Sequence, residues 1–409
     1  MSATSHKISQ PFNPPKKVFT SGPFTGVDVH DTFALAAMNE SPVTINLAKI
    51  AWPDNLSPTP TAFGSYRPGE KITSALTQNA DVLVILYTEL EIMALLDVFT
   101  NNSEWTPARQ KTWYPYAHNF AEFKSKIEGI NDDDALKEGI FGYLFPLTIG
   151  NTKVVLYKTE LHPKANGPAL PFIPVINQLI GELAPKLVIS TGTAGAIGSR
   201  LNCGDVIVTD SARLHLENNY PSFPALNKMS QQKTQLENTV VVNDKYLQYA
   251  AQNFTKLSLP GLAQCYGEIA GRPGYSFLKK NTQASGIYWK GVNPVPGPEP
   301  MDIVSADYLT VDDTRDSEGL QQLGIMNDTD DAFVFYGIST LPSDKQPKWL
   351  SVRNASEPQI NVPPFPAGTS ETQIVDKLKG VAGAIYGVYQ YCTTLNSAFA
   401  CWGVIAGMN

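Results

Sequence analysis

From Lys186 to Gly198 the chain reads KLVISTGTAGAIG. A short apolar run with β-branched residues and no polar alternation suits a strand buried on both faces, so its sheet needs helices above and below. The glycines that follow predict a turn at Gly192–Gly195. Its backbone N–H groups would face an anion or a hydroxyl, because residues without Cβ let a ligand come close. The segment lacks both the G-K-[ST] ending of a phosphate loop and the G-x-G-x-x-G spacing of a dinucleotide site. Alone, it is equally a tight structural turn.

The rest of the chain repeats the pattern. DVLVILYT, from Asp81, predicts a buried strand, and ELEIMALLDVFT a helix after it. FGYLFPLTI and KVVLYK predict two strands around Gly150-Asn151, and ALPFIPVINQLIGELAP a helix ended by Pro185. CGDVIVTDSARL, MDIVSADYLTV and KWLSVRNASEP predict strands, DDAFVFYGISTL a helix, and the segment from Ile374 to Met408 one long helix or two. Strands alternating with helices predict an α/β fold, a three-layer sandwich with a mixed, largely parallel central sheet. Residues 1–79, rich in Pro, Ser and Thr, read as an extended N-terminal arm. Residues 80–409 form the main domain. Within it, 217–300 reads as an insertion, with a helix near Asp244–Phe254 and a loop at NPVPGPEP. No repeat of fixed period is present.

Charge narrows the function classes. The chain has 409 residues and a formal net charge of -7, with Lys and Arg scattered. A partner that is a nucleic acid polymer calls for a basic stripe, and none is present. His6, His30, His118 and His162 lack metal-ligand spacing, so no metal is expected. Cys203, Cys265, Cys392 and Cys401 form no C-x-x-C pair and read as buried thiols. With no apolar leader and no apolar run long enough to span a bilayer, the expectation is a cytoplasmic protein without a membrane partner.

In open α/β sheets the ligand sits beyond the carboxyl ends of the strands. That singles out Glu89, Gly192–Gly195, Asp307–Thr310 and Ser356–Glu357.

The stretch VISTGTAGAIGSRLNCGDVIVTDSARLH resembles the signature of the nucleoside phosphorylase and nucleosidase superfamily: a strand, a G-[ST]-[AC]-G-G/A turn, a G-D-[IV]-V-V strand and an A-R-x-H-like end. DVLVILYTELEIMALL resembles the family's opening strand and helix, with Glu89 where the family carries an acid. MDIVSADYLTV resembles the V-S-[GA]-D-x-[FY]-[VI] segment that lines the base pocket. DTDDAFVF resembles the E-M-E-[DA]-A segment, which puts Asp330 at the ribose-binding Glu, with Asp328 as the near alternative. WLSVRNASEP resembles the V-V-R-[AG]-[IV]-S-D strand, which puts Glu357 at the catalytic Asp. The resemblance covers about 81–217 and 300–405.

It implies hydrolysis of the N-glycosidic bond of a purine nucleoside, or a 5′-modified one, without a cofactor. Such cleavage needs the leaving base protonated and the sugar cation stabilised. By the resemblance, Glu357 donates the proton, Asp330 grips the ribose and Glu89 prepares the water. Thr193, Ala194 and Gly195 hold the sugar and nucleophile, Ser356 adjoins the acid, and Tyr308, Leu309 and Thr310 flank the base. Family members commonly pair, which implies a homo-oligomer. Phosphorylases of the hexameric type carry an Arg where this chain has Ser190, and an Arg-bearing loop where it has LYTELE. Water is therefore favoured over phosphate as the nucleophile, the more so if Lys158, His162, Lys164 and Arg353 stand outside the pocket. Phosphorolysis of a purine nucleoside is the first alternative, and a non-catalytic nucleoside-binding or storage-type protein the second. The insertion also leaves a nucleotide substrate open. Glu at 357 and Asp at 330 each differ by one methylene from the family's residue, which bears on the substrate more than on the fold.

Blander roles stand beside these. Glu89 and Glu91 suit helix N-termini, where acids complement the dipole. Asp328 and Asp331 suit a solvated helix start. His215 suits a buttress at a strand end, and Tyr386, Tyr389, Tyr391, Phe399 and Trp402 suit the core or a subunit interface.

Overall fold

In the segment Val82–Leu86, Val82, Val84 and Leu86 face one apolar cluster, and Leu83 and Ile85 face another. Both faces are covered by helices, which is why the run has no polar residue. The same division separates Ile189 from Val188, Val206 and Val208 from Ile207, and Leu350 from Trp349. Each such fully buried aliphatic side chain contributes about 1.5–3 kcal/mol. The molecule is thus three layers deep.

The computed structural model describes residues 47, 49–100, 113–117, 134–163, 171–197, 200–254, 286–290, 293–295, 300–308, 320–358, 368 and 371–409. Its strands are β1 (Pro58–Pro60), β2 (Val82–Leu86), β3 (Tyr114–Tyr116), β4 (Gly142–Ile149), β5 (Thr152–Thr159), β6 (Leu187–Ala196), β7 (Val206–Thr209), β8 (Ser211–His215), β9 (Gln235–Glu237), β10 (Ile287–Trp289), β11 (Ile303–Ala306), β12 (Met326–Asp328) and β13 (Lys348–Pro358). The helices that matter below are α1 (Glu89–Phe99), α3 (Ile173–Leu183), α5 (Asp244–Gln252), α6 (Asp331–Ser339) and α7 (Glu371–Ala406); α2 (Asp134–Lys137) and α4 (Pro224–Gln231) are shorter. The C-terminal segment is therefore one helix. It packs on α1, α5 and β13, while α3 and α6 pack together on the other side of the sheet.

The sheet is mixed, and its central strands β5, β2, β6 and β13 run parallel. β6 is the hinge of the topology. One edge pairs with β2 over Leu187–Ser190 and then with β12 at Gly195 and Ala196; the other pairs with β13 along its length. From β13 the ladder passes to β7, the chain turns at Asp210 into β8, and β8 leads through β11 and β12 back to β6. Pairing of β6 with both β12 and β13 brings the ends of the three strands together.

This corrects one expectation. Gly192–Gly195 is not a turn but part of β6, which continues to Ala196. Ladders on both edges hold it extended, and only Gly192 takes a left-side conformation, with φ of +149°. Sequence-local reasoning saw the glycines and not the partner strands.

Local signals set the helix ends. Thr88 and Glu91 form a capping box at the start of α1, so Glu91 does serve the helix N-terminus. α3 stops where Ala184 turns left-handed just before Pro185. The described part of residues 1–79 lies against the strands and helices that follow: β1 pairs with β4, Trp402 Nε1 donates to the Leu56 carbonyl at 2.9 Å, and Trp52 packs on Trp402 with ring centroids 4.6 Å apart. Trp402, Phe399 and Tyr391 are core residues. The region 217–300 holds the expected helix as α5, and adds α4, β9 and β10, whose few buried residues give little periodic signal. Cys203, Cys392 and Cys401 are buried free thiols, and Cys265 lies outside the described residues. Among the described residues, no helix is long and apolar enough to cross a membrane.

Candidate active site

Arg353 lies in the middle of β13, opposite Gly192 of β6, with its side chain 1% exposed. Water is excluded there, so a guanidinium needs carboxylates, and three approach it. Arg353 Nε donates to both Asp331 oxygens at 3.1 and 3.2 Å. Its Nη2 lies 3.1 Å from Asp328 Oδ2 and 3.3 Å from Asp330 Oδ2, and also contacts Asp331 Oδ1. Nη1 donates to the Thr193 carbonyl at 2.9 Å. The Tyr87 ring faces the guanidinium, with Cζ 5.0 Å from its centroid.

The three acids are not equivalent. Burial alone would push Asp331 up, but the Arg353 charge and hydrogen bonds from Arg353, Ser190 and Ser351 hold it below the usual carboxylate range. The Ser190 hydroxyl donates to Asp331 at 2.5 Å, so the Tyr87 phenol, 2.7 Å away, is the donor to Ser190. Burial, then the neighbouring Asp331 charge, push Asp328 well above its ordinary value. Asp328 is spent on the start of α6: its Oδ2 accepts the Asp331 N–H at 3.0 Å, and its Oδ1 takes the Ser305 hydroxyl. Burial, with the Glu91 and Asp331 charges added, pushes Asp330 up to about 7 despite the opposing Arg353 charge.

Asp328 and Asp331 are therefore not solvated helix-start acids. A buried Arg in an apolar strand demanded carboxylates, and the segment before α6 supplies them. That Arg in KWLSVRNASEP was the available signal.

A second cluster adjoins the first. Glu91 is buried, and its Oε1 accepts the Thr193 N–H at 2.8 Å and the Thr193 hydroxyl at 3.0 Å. Its Oε2 accepts from the backbone of Tyr87 and Thr88 at 3.1 and 2.9 Å. One carboxylate thus caps α1 and ties it to β6. The approach explains Gly192: a Cβ there would lie 2.2 Å from Glu91 Oε1. Gly192→Ala is expected to cost about 1–3 kcal/mol or more, read as a lower urea midpoint, from clash and backbone strain together. An unchanged midpoint would contradict that contact.

Glu357, the next-to-last residue of β13, lies just past a bulge and pairs with Gly195. The Ser356 hydroxyl lies between its carboxylate and the Ala194 carbonyl, 3.3 Å away. Besides burial, the Glu357 charge raises the nearby Cys203 thiol. Gly195 pairs with Asn327 of β12 on its other edge. β13, which carries Glu357, and β12, which ends at Asp328 two residues before Asp330, thus flank the same residue, two strand spacings or about 10 Å apart.

Tyr308 is half-buried with its ring 6.0 Å from that of His215, the last residue of β8. Leu309 and Thr310 lie outside the described residues, as does the side chain of Glu89, the first residue of α1. Lys158 is buried against Glu160 at 2.6 Å, His162 sits 3.3 Å from Asp330, and Lys164 lies outside the described residues. Arg353, Asp331, Glu91, Ser190 and His162 are the members of the site to which sequence reasoning gave no role in it.

No protein-family model matches the sequence, and comparison with curated proteins gives no match. Among solved structures, the chain is similar to S-adenosylhomocysteine nucleosidase from Streptococcus pyogenes at 12% identity, covering 81% of this chain and 98% of that one with a TM-score of 0.43. It is similar to futalosine hydrolase of Helicobacter pylori at 10% identity, 80% and 97% coverage and a TM-score of 0.42. It is also similar to the 5′-methylthioadenosine/S-adenosylhomocysteine nucleosidase from Neisseria meningitidis at 13% identity, 80% and 99% coverage and a TM-score of 0.41.

Proposed function

We propose that the chain hydrolyses the N-glycosidic bond of a purine nucleoside or a 5′-modified purine nucleoside. One observation carries this reading: Glu357 on β13 pairs with one edge of Gly195, and β12, which pairs with the other edge, ends two residues before the Arg353-bound Asp330. A ligand lying over the end of β6 would meet an acid on each side.

Glu357 protonates the leaving base, an effect worth about 10²–10⁴-fold in rate. Asp330, ionised, accepts from the ribose hydroxyls and stabilises positive charge as it develops on the sugar. Asp330 suits this better than Asp328, whose oxygens are taken by Asp331 N–H and Ser305. Thr193 holds the sugar together with Ala194 and Gly195. Its hydroxyl donates to Glu91 Oε1 in this structure, and turning it to the sugar frees that oxygen to orient water. Glu89, opening the same helix, is the other acid for that task. Ser356 fixes Glu357, and Tyr308 with Leu309 and Thr310 flank the base.

Water fits this site better than phosphate. Arg353 is surrounded by three carboxylates, Lys158 is held by Glu160, and Ser190 donates to Asp331. A phosphate dianion would enter beside acids whose cations are already engaged.

The test is release of free base from adenosine, inosine, guanosine, their 2′-deoxy forms and 5′-methylthioadenosine, with and without phosphate. Release in phosphate-free buffer, cut about 10²–10⁴-fold in Glu357→Gln, is the expected result. Release only with phosphate would establish phosphorolysis, and parent-like release by Glu357→Gln would remove Glu357 from the chemistry.

A further inference from the structure

Asp330 is the N-cap residue of α6, yet its carboxylate makes no cap hydrogen bond to the helix. Asp at that position ordinarily turns back onto the first N–H groups. Here those groups are served from elsewhere: Asp331 N–H donates to Asp328, and Ala332 N–H to Ser305 Oγ at 2.8 Å. The Asp330 side chain is thereby released from its own helix and held by other groups. Arg353 holds Oδ2 at 3.3 Å. On the far side, His162 Nε2 lies 3.3 Å from Oδ1, with the Thr329 hydroxyl 3.4 Å from the same oxygen.

His162 follows β5, two residues past the buried Lys158–Glu160 pair. Its ring is set edge-on to Tyr87 at 72°, centroids 6.1 Å apart, which fixes the ring plane. Its side chain is 16% exposed, whereas that of Asp330 is 5% and that of Arg353 1%. His162 is therefore the member of the chain Arg353–Asp330–His162 closest to solvent. The other charged groups around Asp330 among the described residues are Glu91 on α1, Asp328 on β12, Asp331 on α6 and Arg353 on β13.

We propose that His162 is a positioning residue that holds Asp330 Oδ1 through its Nε2–H, so that the carboxylate is clamped between an imidazole and a guanidinium with its remaining lone pairs turned to the pentose. Resting on the nucleosidase reading, this assigns His162 a part in recognising the sugar rather than the base. A carboxylate held at one oxygen can rotate about its Cβ–Cγ bond; held at both, it presents one orientation. Misplacement by about 1 Å can cost roughly 10²-fold in rate.

Two readouts test the proposal. The first needs no turnover: the ¹H–¹⁵N resonance of His162 Nε2, assigned from its loss in His162→Phe. It is expected to shift in Asp330→Asn and to stay in place in Lys245→Ala, a change at a surface ion pair. An unmoved resonance in Asp330→Asn overturns the pairing. The second is steady-state cleavage of adenosine and 2′-deoxyadenosine. His162→Phe keeps a flat ring and loses the donor. It is expected to lower kcat/KM for adenosine at least tenfold, and to narrow the preference for ribose over deoxyribose. His162→Gln, whose amide reaches to about the Nε2 position, is expected to restore kcat/KM for adenosine to within threefold of the parent. An equal fall for adenosine and 2′-deoxyadenosine, shared by both variants, is the mark of a merely structural role and overturns the assignment. If no nucleoside is cleaved while the resonance still answers to Asp330→Asn, the reaction is wrong and the clamp on Asp330 stands.

Discussion

Arg353→Met is expected to destabilise the fold by about 3–5 kcal/mol, against a total of about 5–15 kcal/mol for a typical protein. Methionine fills much of the volume, so the loss is electrostatic. Asp331 loses the charge and hydrogen bonds that keep it ionised in a dry site, while Asp328 and Asp330 already crowd it. Urea unfolding at pH 7 measures the effect. The double variant Arg353→Met with Asp331→Leu separates charge from shape. Replacing both partners with apolar groups costs far less than orphaning one, so the pair should recover at least half of the loss. A single variant within about 1 kcal/mol of the parent would show that Arg353 is not what neutralises the acids. The salt dependence should be weak, because a buried pair is screened little.

The layered fold was legible because two-sided burial leaves a direct trace: Val82–Leu86 and Leu187–Ile189 are apolar throughout, and α1 announces itself with Thr88 and Glu91. The glycine segment misled for a matching reason. Gly192 and Gly195 read as a turn, whereas their conformation is imposed by β12 and β13, more than a hundred residues away. β12 itself escaped notice: Met326–Asp328 is too short for periodicity, and two of its three residues are polar. The site was half visible. Asp330 and Glu357 could be matched to motifs; Glu357 lies on β13 at one edge of Gly195, and Asp330 follows β12 at the other. The electrostatic hub could not be seen, because an Arg and an Asp 22 positions apart give no local sign that they meet. Glu91 suits a helix N-terminus by sequence, and it does cap α1; nothing in ELEIMALL tells that its second oxygen reaches Thr193.

The second large effect belongs to Asp330. Asp330→Asn keeps the size and the contact with Arg353 but cannot carry charge, so it is expected to lower kcat/KM for a ribonucleoside on the order of 10²–10³-fold at pH 8, with the fold intact. The parent's pH profile should show why. Asp330, pushed up to about 7 by burial and by the Glu91 and Asp331 charges, is largely protonated below that pH. The ionised form is the one that stabilises a sugar cation. In the parent, kcat/KM should therefore show an acid limb that rises with pH through about 7, a limb that Asp330→Asn lacks. Stability runs the other way. A folded-state value above the unfolded one means that the native protein binds this proton more tightly. Its stabilisation is complete below the unfolded value near 4 and is lost as pH rises through about 7. The parent should thus be favoured over Asp330→Asn most at low pH, and the difference in their unfolding midpoints should shrink or reverse by pH 8. Opposite slopes for rate and stability on one residue are the signature of a carboxylate kept in an uncomfortable place for its chemistry. If the acid limb persists unchanged in Asp330→Asn, the titrating group is another one.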